Sequence, residues 1–136
     1  YSLLKFDPIK TIRYWYESAA YDIAVADALY ETGKYPYALF MGHLALEKIL
    51  KALVVKTTRK HAPYTHSLTL LASESTIKIP QQTMKKLARF MEFHFEARYP
   101  DEQKKFYQRC TKGFTRKNLH EMREIYIWLT EKLQKK

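Results

Sequence analysis

The 136 residues are enough for one domain, residues 1–136, with a hydrophobic core of its own. They carry 24 Lys and Arg against 14 Asp and Glu, and the formal net charge of +10 favours a polyanionic partner such as RNA, DNA or a nucleotide. The single Cys110 excludes an internal disulfide, and no apolar run has the length of a membrane span, so we expect a cytoplasmic protein with no membrane partner.

Two long helices are predicted in the first half of the chain. Asp7 followed by Pro8 is typical of an N-cap and the first helical position, and apolar residues then recur at three- and four-residue steps as far as Thr32. Gly33 is expected to end this helix. The second helix is predicted over residues 35–58 and is apolar almost all round, which is typical of a central helix in a bundle or of one covered by another subunit.

The second half of the chain predicts shorter elements and one further long helix. A short third helix is expected after a cap at Thr65 or Ser67, a fourth helix over 81–97, and a helical turn over 102–109. Thr115 is expected to cap the last helix. The apolar positions of that helix are spaced by three and four residues, as in a bundle seam: Leu119, Met122, Tyr126, Leu129 and Leu133. We therefore predict an all-α fold, an antiparallel up-and-down bundle of four main helices plus a short extra helix.

A polar stripe interrupts the apolar second helix. His43, Glu47 and Lys51 are four residues apart and share one helical face, with Lys48 beside them. Glu47 and Lys51 have the favourable order for an ion pair within a helix. One interpretation is a solvated face with an internal ion pair. The other is a groove or a partner surface, in which buried charges need partners and Asp22 of the first helix is a candidate.

The sequence Arg98-Tyr99-Pro100-Asp101 follows the predicted fourth helix. Pro100 disfavours helix at Tyr99, so a guanidinium and a carboxylate are expected at a helix end. In the structural interpretation, Arg98 satisfies the last carbonyls of the helix and Asp101 caps a following turn. In the functional interpretation, the two groups recognise a phosphate or a base.

The segment 98–117 is strongly basic. It contains seven Lys or Arg residues and two acidic ones, a local balance of +5, with Phe106, Tyr107 and Phe114 interleaved. Basic groups combined with aromatic rings suit phosphates and stacked bases, although a solvated loop has the same composition.

The sequence gives little support for a metal or a cofactor, and we predict neither. His61 and His66 flank a proline and have a spacing that permits a shared metal, but no Cys, Asp or Glu accompanies them in the loop. The Glu-x-x-His signature of di-iron bundles is absent, because His94 is only two residues after Glu92.

Several of these features together resemble the HEPN family, the "higher eukaryotes and prokaryotes nucleotide-binding" domain. The likeness covers nearly the whole chain. The matching segments are Ala20-x-Asp22-Ile23-x-x-Ala26, Gly33-Lys34-Tyr35, HLALEKILKAL over 43–53, His66-Ser67-Leu68 and Arg98-Tyr99-Pro100-Asp101.

The resemblance implies a helical bundle that forms a homodimer, and many small members resemble one half of a toxin–antitoxin-like pair with a minimal nucleotidyltransferase. We therefore expect a nucleotide- or RNA-binding module of the type that carries the RYPD sequence. The predicted ligand-binding residues are His43, Glu47, Lys48, Lys51, Arg98, Tyr99 and Asp101.

Two alternatives remain open. Some members of the family are metal-independent ribonucleases with an Arg, four to six residues and then a His, and Arg89 and His94 match that spacing here. Phe90 stands where those nucleases have a polar residue, so Arg89 and His94 are weak candidates for catalysis. The second alternative is a structural or adaptor bundle without enzymatic activity.

Overall fold

The computed structural model describes residues 5–94 and 100–135, and every regular element within those ranges is helical. The helices are α1, Pro8–Glu31; α2, Tyr35–Thr58; α3, Leu68–Glu74; α4, Gln81–Phe90; α5, Pro100–Arg109; and α6, Lys112–Gln134. A 3₁₀ turn, Met91–Phe93, follows α4 directly. The predicted all-α bundle is confirmed. Within the described ranges no helix combines the length and the apolarity needed to cross a membrane.

The first two helices form an antiparallel hairpin, because only residues 32–34 connect two long helices that pack along each other. Asp7 caps α1, and its Oδ1 accepts a hydrogen bond from the backbone N–H of Lys10 at 3.1 Å. At the other end Gly33 has a φ of +77°, and the N–H of Lys34 donates to the carbonyl of Leu29 at 2.8 Å. The predicted start and end of this helix are therefore confirmed.

The second helix is the centre of the fold. It has the predicted bounds, and most of its side chains are buried between α1 on one side and α6 on the other. Its apolar residues form the core with Leu68 and Leu71 of α3, Leu87 and Phe90 of α4, and Met122 and Leu129 of α6. Because almost every face of α2 is covered, any polar side chain in its middle is also drawn into the interior.

The fourth helix is shorter than predicted. It ends at Phe90 rather than at residue 97, and His94 already has an extended backbone. Phe93, in the 3₁₀ turn, packs against Phe106 and Phe114, with ring centroids 6.0 Å and 6.1 Å away. These contacts with α5 and α6 favour a 3₁₀ turn over continuation of the α-helix. Aromatic residues have a low helix propensity, so they do little to extend α4. The predicted positions 95–97 lie outside the described residues.

The last helix begins one turn earlier than predicted. Its N-cap is Thr111, whose Oγ1 accepts a hydrogen bond from the N–H of Phe114 at 3.2 Å. The expected cap, Thr115, is instead buried inside the helix. Two threonines four residues apart offer the same capping chemistry, and the packing of Phe114 on Phe93 favours the earlier one.

Ion pairs tie α6 to the other helices. Glu121 accepts from Arg89 of α4 at 2.6 Å and is 3.2 Å from Lys86, and Arg123 pairs with Asp27 of α1. Partial burial acts to raise the pKa of Glu121, but Lys86 and Arg89 outweigh it and hold that pKa below its usual value. The carboxylate is therefore charged at neutral pH and holds α4 against α6.

Gly42 allows α2 and α6 to approach closely. A Cβ added at this position would lie 2.5 Å from Sδ of Met122 and 3.3 Å from Cδ2 of Leu119. Because Met122 is fully buried, its side chain has little room to move away. We expect Gly42→Ala to lower the free energy of unfolding by roughly 1–3 kcal/mol, measured by urea denaturation.

The matched control is Gly113→Ala in the first turn of α6, where an added Cβ meets nothing within 4 Å. This change should leave stability unchanged or raise it by up to about 1 kcal/mol, because alanine has the higher helix propensity. A Gly42→Ala protein as stable as the wild type would show that α2 and α6 do not depend on this close contact.

Candidate functional site

The polar stripe of α2 is buried. The exposed fractions of His43, Glu47 and Lys51 are 0%, 3% and 7%. The interpretation as a solvated face is therefore wrong, and the reason is that α1, α3 and α6 cover the helix on nearly all sides. As the other interpretation requires, the buried charges have partners, which come from within the chain. A groove or partner surface at the stripe stays a prediction.

Each charged group near the stripe has a partner. Nζ of Lys51 donates to Oε2 of Glu47 at 3.0 Å, which is the predicted pair within the helix. Lys48 reaches across to α1, where its Nζ lies 2.7 Å from Oδ2 of Asp22. Lys51 also lies over the ring of Trp15, 5.0 Å from its centroid. These contacts link the first two helices through buried or half-buried charges.

His66 brings a third element to the stripe. Its neighbour Ser67 caps α3, because its Oγ accepts a hydrogen bond from the N–H of Leu70 at 3.1 Å. Ser67 was one of the two predicted caps. That cap fixes the chain just before α3, and Nδ1 of His66 then lies 3.0 Å from Oε1 of Glu47. The side chain of His66 is 49% exposed, so this end of the stripe opens to solvent.

His94 completes the group. The 3₁₀ turn places its ring in a stacked contact with His66, 4.3 Å between centroids and 25° between planes. The same ring is 5.1 Å from the ring of His43 and 5.5 Å from that of Phe40. We call His43, Glu47, His66 and His94 the histidine cluster. It joins the middle of α2, the start of α3 and the end of α4.

Burial keeps His43 neutral. Desolvation is the main reason that the pKa of His43 falls to about 4, and the neighbouring His94 and His66 act in the same direction. Glu47 and a contact with the backbone of His66 act the opposite way without restoring the ordinary value. At neutral pH the ring is therefore an uncharged imidazole, able to accept a hydrogen bond or to coordinate a cation.

The two weak catalytic candidates contact different elements. Arg89 donates to Glu121 and lies 3.5 Å from Oδ1 of Asn118, both on α6. His94 belongs to the histidine cluster instead. The structure therefore gives Arg89 a role in joining α4 to α6, and a catalytic pair of Arg89 and His94 stays a prediction.

The RYPD sequence is only partly described. Arg98 and Tyr99 lie outside the described residues, so the expectations for both stay predictions. Pro100 is the first residue of α5, and Asp101 is exposed within its first turn rather than at a cap position before it. A carboxylate there is favoured by the helix dipole. Among the described residues Asp101 has no ion-pair partner, and the structure does not join it to the buried Glu47.

Exposed positive charge is concentrated along α5 and the first turns of α6. Five cations there are exposed, and none is in an ion pair with a described residue; we call them the basic corner: Lys104, Lys105, Lys112, Arg116 and Lys117. Arg109 differs, since it pairs with Glu92 at 2.8 Å and lies over the ring of Phe114.

The aromatic residues of this segment have different roles. Phe106 is buried in the core and Phe114 packs on Phe93, so neither offers a free face to a base. Tyr107 is 38% exposed and packs edge-on against Tyr37, which is 47% exposed, with centroids 6.3 Å apart. Of the three aromatic rings singled out in the sequence, Tyr107 is the one that reaches the surface.

The histidine cluster was not predicted from the sequence. Its three histidines are far apart in the chain, and no short motif joins them. The sequence did contain one signal for the cluster: the four-residue step from His43 to Glu47 places both side chains on one face of α2. The sequence suggested His61 as a companion of His66, but the ring of His61 contacts Phe6, with centroids 4.1 Å apart.

Comparison with known proteins agrees with the helical architecture. The crystal structure of TT1696 from Thermus thermophilus superposes with a TM-score of 0.74, covering 89% of this chain and 97% of that one at 22% sequence identity, which supports the fold alone. No curated protein matches the sequence. The sequence model of the HEPN domain matches residues 12–133, nearly the whole chain. The chain therefore belongs to the HEPN domain family.

Proposed function

We propose that this protein is a non-enzymatic binding module that takes up the phosphates of RNA or of a nucleotide at the basic corner. The observation that carries the proposal is the group of five exposed cations without ion-pair partners among the described residues. Membership of the HEPN family supports a nucleotide- or RNA-related role.

The charge of this region favours an anionic ligand. Over the described residues 100–117 there are six Lys or Arg and two acidic residues, a balance of +4, and both acidic residues lie in the first turn of α5. The cations beyond that turn therefore repel one another until an anion or counterions neutralise them. Binding of a polyphosphate chain releases those counterions and gains free energy.

Two concave regions of the surface lie beside these cations. Arg116 and Lys117 line an open cleft of about 530 Å³ between α4 and α6, together with Lys86, His120 and the acidic Glu121 and Glu124. Lys104 and Tyr107 line a shallow hollow on α5. A cation beside an exposed tyrosine allows a phosphate contact next to a stacked base, the combination used by proteins that bind single-stranded nucleic acid.

The binding test is a salt series with fluorescently labelled single-stranded RNA, followed by anisotropy, with ATP in a parallel calorimetric titration. We expect the wild type to bind and its affinity to fall steeply as salt rises. In the triple variant Lys104→Ala, Lys105→Ala, Lys117→Ala, the slope of log affinity against log salt should become shallower by about 0.7 for each phosphate that is no longer neutralised.

The matched control removes the same charge elsewhere. Lys10, Lys78 and Lys135 are exposed and distant in sequence from the basic corner, and the triple alanine variant should keep most of the wild-type affinity and slope. Equal losses in both triple variants would mean that net charge alone attracts the RNA. Absence of binding to both RNA and ATP would refute the proposal.

Metal-independent ribonuclease activity is the second candidate, and the histidine cluster is the observation that favours it. His94 and His66 are stacked beside the carboxylate of Glu47, and imidazole and carboxylate groups serve as general acids and bases. On the binding-module proposal, a mixed RNA pool in excess chelator stays intact on a denaturing gel. Cleavage by the wild type but not by His94→Ala would make the protein a nuclease instead.

The proposal includes a protein partner, namely a second copy of the chain and a minimal nucleotidyltransferase. The support is the family resemblance together with a solvent-facing side of α1 on which Tyr14, Tyr21, Ala24 and Ala28 lie between the charged Lys10, Glu17 and Glu31. Light scattering on the purified protein measures its mass directly. A monomer at micromolar concentration would remove the homodimer from the proposal.

A further inference from the structure

We propose that Glu47, His66 and His94 form a binding site for one divalent transition-metal ion, with Zn²⁺ as the expected ion. The site is separate from the basic corner and does not depend on RNA or nucleotide binding there. It places one carboxylate from α2 and two imidazoles, one from the loop before α3 and one directly after the 3₁₀ turn, around one point at the edge of the core.

The distances are close to those of a metal site. One ligand atom from each of the three residues lies within 4.8 Å of the other two. Nδ1 of His66 and Oε1 of Glu47 are already 3.0 Å apart. Ligand bonds of about 2.0–2.1 Å in a tetrahedron put neighbouring ligand atoms roughly 3.3 Å apart, so the widest separation has to shorten by about 1.5 Å at most to close the site.

The donor set selects the kind of ion. Neutral imidazole nitrogens with one carboxylate oxygen suit Zn²⁺ and its neighbours in the first transition row, whereas Mg²⁺ and Ca²⁺ prefer oxygen ligands alone. The three ligands from the described residues leave a fourth position for water or for an anionic oxygen. His66 is half exposed, so that position is reachable from solvent.

Groups around the three ligands support this geometry. Lys51 holds Oε2 of Glu47 at 3.0 Å, which leaves Oε1 directed at His66 and fixes the carboxylate as an outer partner does in known metal sites. Fully buried His43 has Nδ1 3.9 Å from the same Oε1, and neither of its ring nitrogens has a hydrogen-bond partner among the described residues within 3.5 Å. A water in the fourth position would give one of these nitrogens a partner.

A hydrogen-bonded network without metal is the competing explanation, because Lys51 and His66 already satisfy Glu47. Two features favour the metal. Glu47, His66 and His94 come from separate parts of the chain, yet each places one ligand atom within 4.8 Å of the other two. The ring nitrogens of buried His43 beside them make no hydrogen bond within 3.5 Å to a described residue.

The test uses tag-free full-length protein, stripped with chelator and titrated with Co²⁺ as a spectroscopic substitute for Zn²⁺. We expect one equivalent to bind with the intense visible bands of a four-coordinate ion, and Zn²⁺ to displace it. His66→Ala and His94→Ala should each weaken Co²⁺ affinity at least about tenfold and lose those bands. Both positions are outside the buried core, and circular dichroism checks that the variants are folded.

The control is the double variant His61→Ala, His120→Ala, which removes two exposed histidines elsewhere on the surface and should bind Co²⁺ as the wild type does. Three results would overturn the proposal: no stoichiometric Co²⁺ binding by the wild type, unchanged binding in folded His66→Ala and His94→Ala proteins, or loss of binding in the double control alone.

Discussion

A carboxylate in the middle of the central helix constrains much of this structure. Glu47 is almost completely buried, and a buried charge is tolerated only when it is paired and hydrogen-bonded. Lys51 supplies the charge from the same helix and His66 supplies a second contact from the start of α3. Removing one partner of such a pair costs about 3–5 kcal/mol, so α2, the loop before α3 and the cap at Ser67 are energetically linked.

The polar groups of the two candidate sites lie at two places in the fold. The histidine cluster lies where α2, α3 and the end of α4 meet, because the partners of Glu47 have to reach it there. The exposed cations lie on α5 and the first turns of α6. Arg116 there shares one pocket with Asp27 and Glu31 of α1, and Arg116 and Lys117 share another with Glu121 and Glu124. One place provides imidazoles near a buried carboxylate, and the other provides positive charge on an exposed surface. The two places suit different ligands, a metal ion and a polyphosphate.

The helix caps and helix ends that depend on neighbouring residues in the chain are predicted correctly by the sequence. The caps at Asp7 and Ser67, the reversal at Gly33 and both ends of α2 follow from residues adjacent in the chain, and the structure confirms them. The ends that were wrong depend on tertiary contacts. Phe93 and Phe114 meet across the bundle, and this contact shortens α4 and moves the start of α6 from Thr115 back to Thr111.

In the candidate site, too, local contacts were predictable and tertiary contacts were not. The pair of Glu47 and Lys51 was predictable from a four-residue step, and Asp22 was recognised as a partner for charges on α2, which it is for Lys48. The meeting of His66 with His94 was not predictable, because it requires α3 and the turn after α4 to fold against one side of α2. The basic segment could be recognised from composition, but only the fold separates its buried Phe106 from its exposed Tyr107.

Phosphate binding at the basic corner is tested most directly by titrating isotope-labelled protein with single-stranded RNA and following the amide chemical shifts. Binding there should give the largest shifts on residues 104–117, with small shifts along α1 and at the histidine cluster. Shifts centred on the histidine cluster or on α1, with residues 104–117 unchanged, would contradict it.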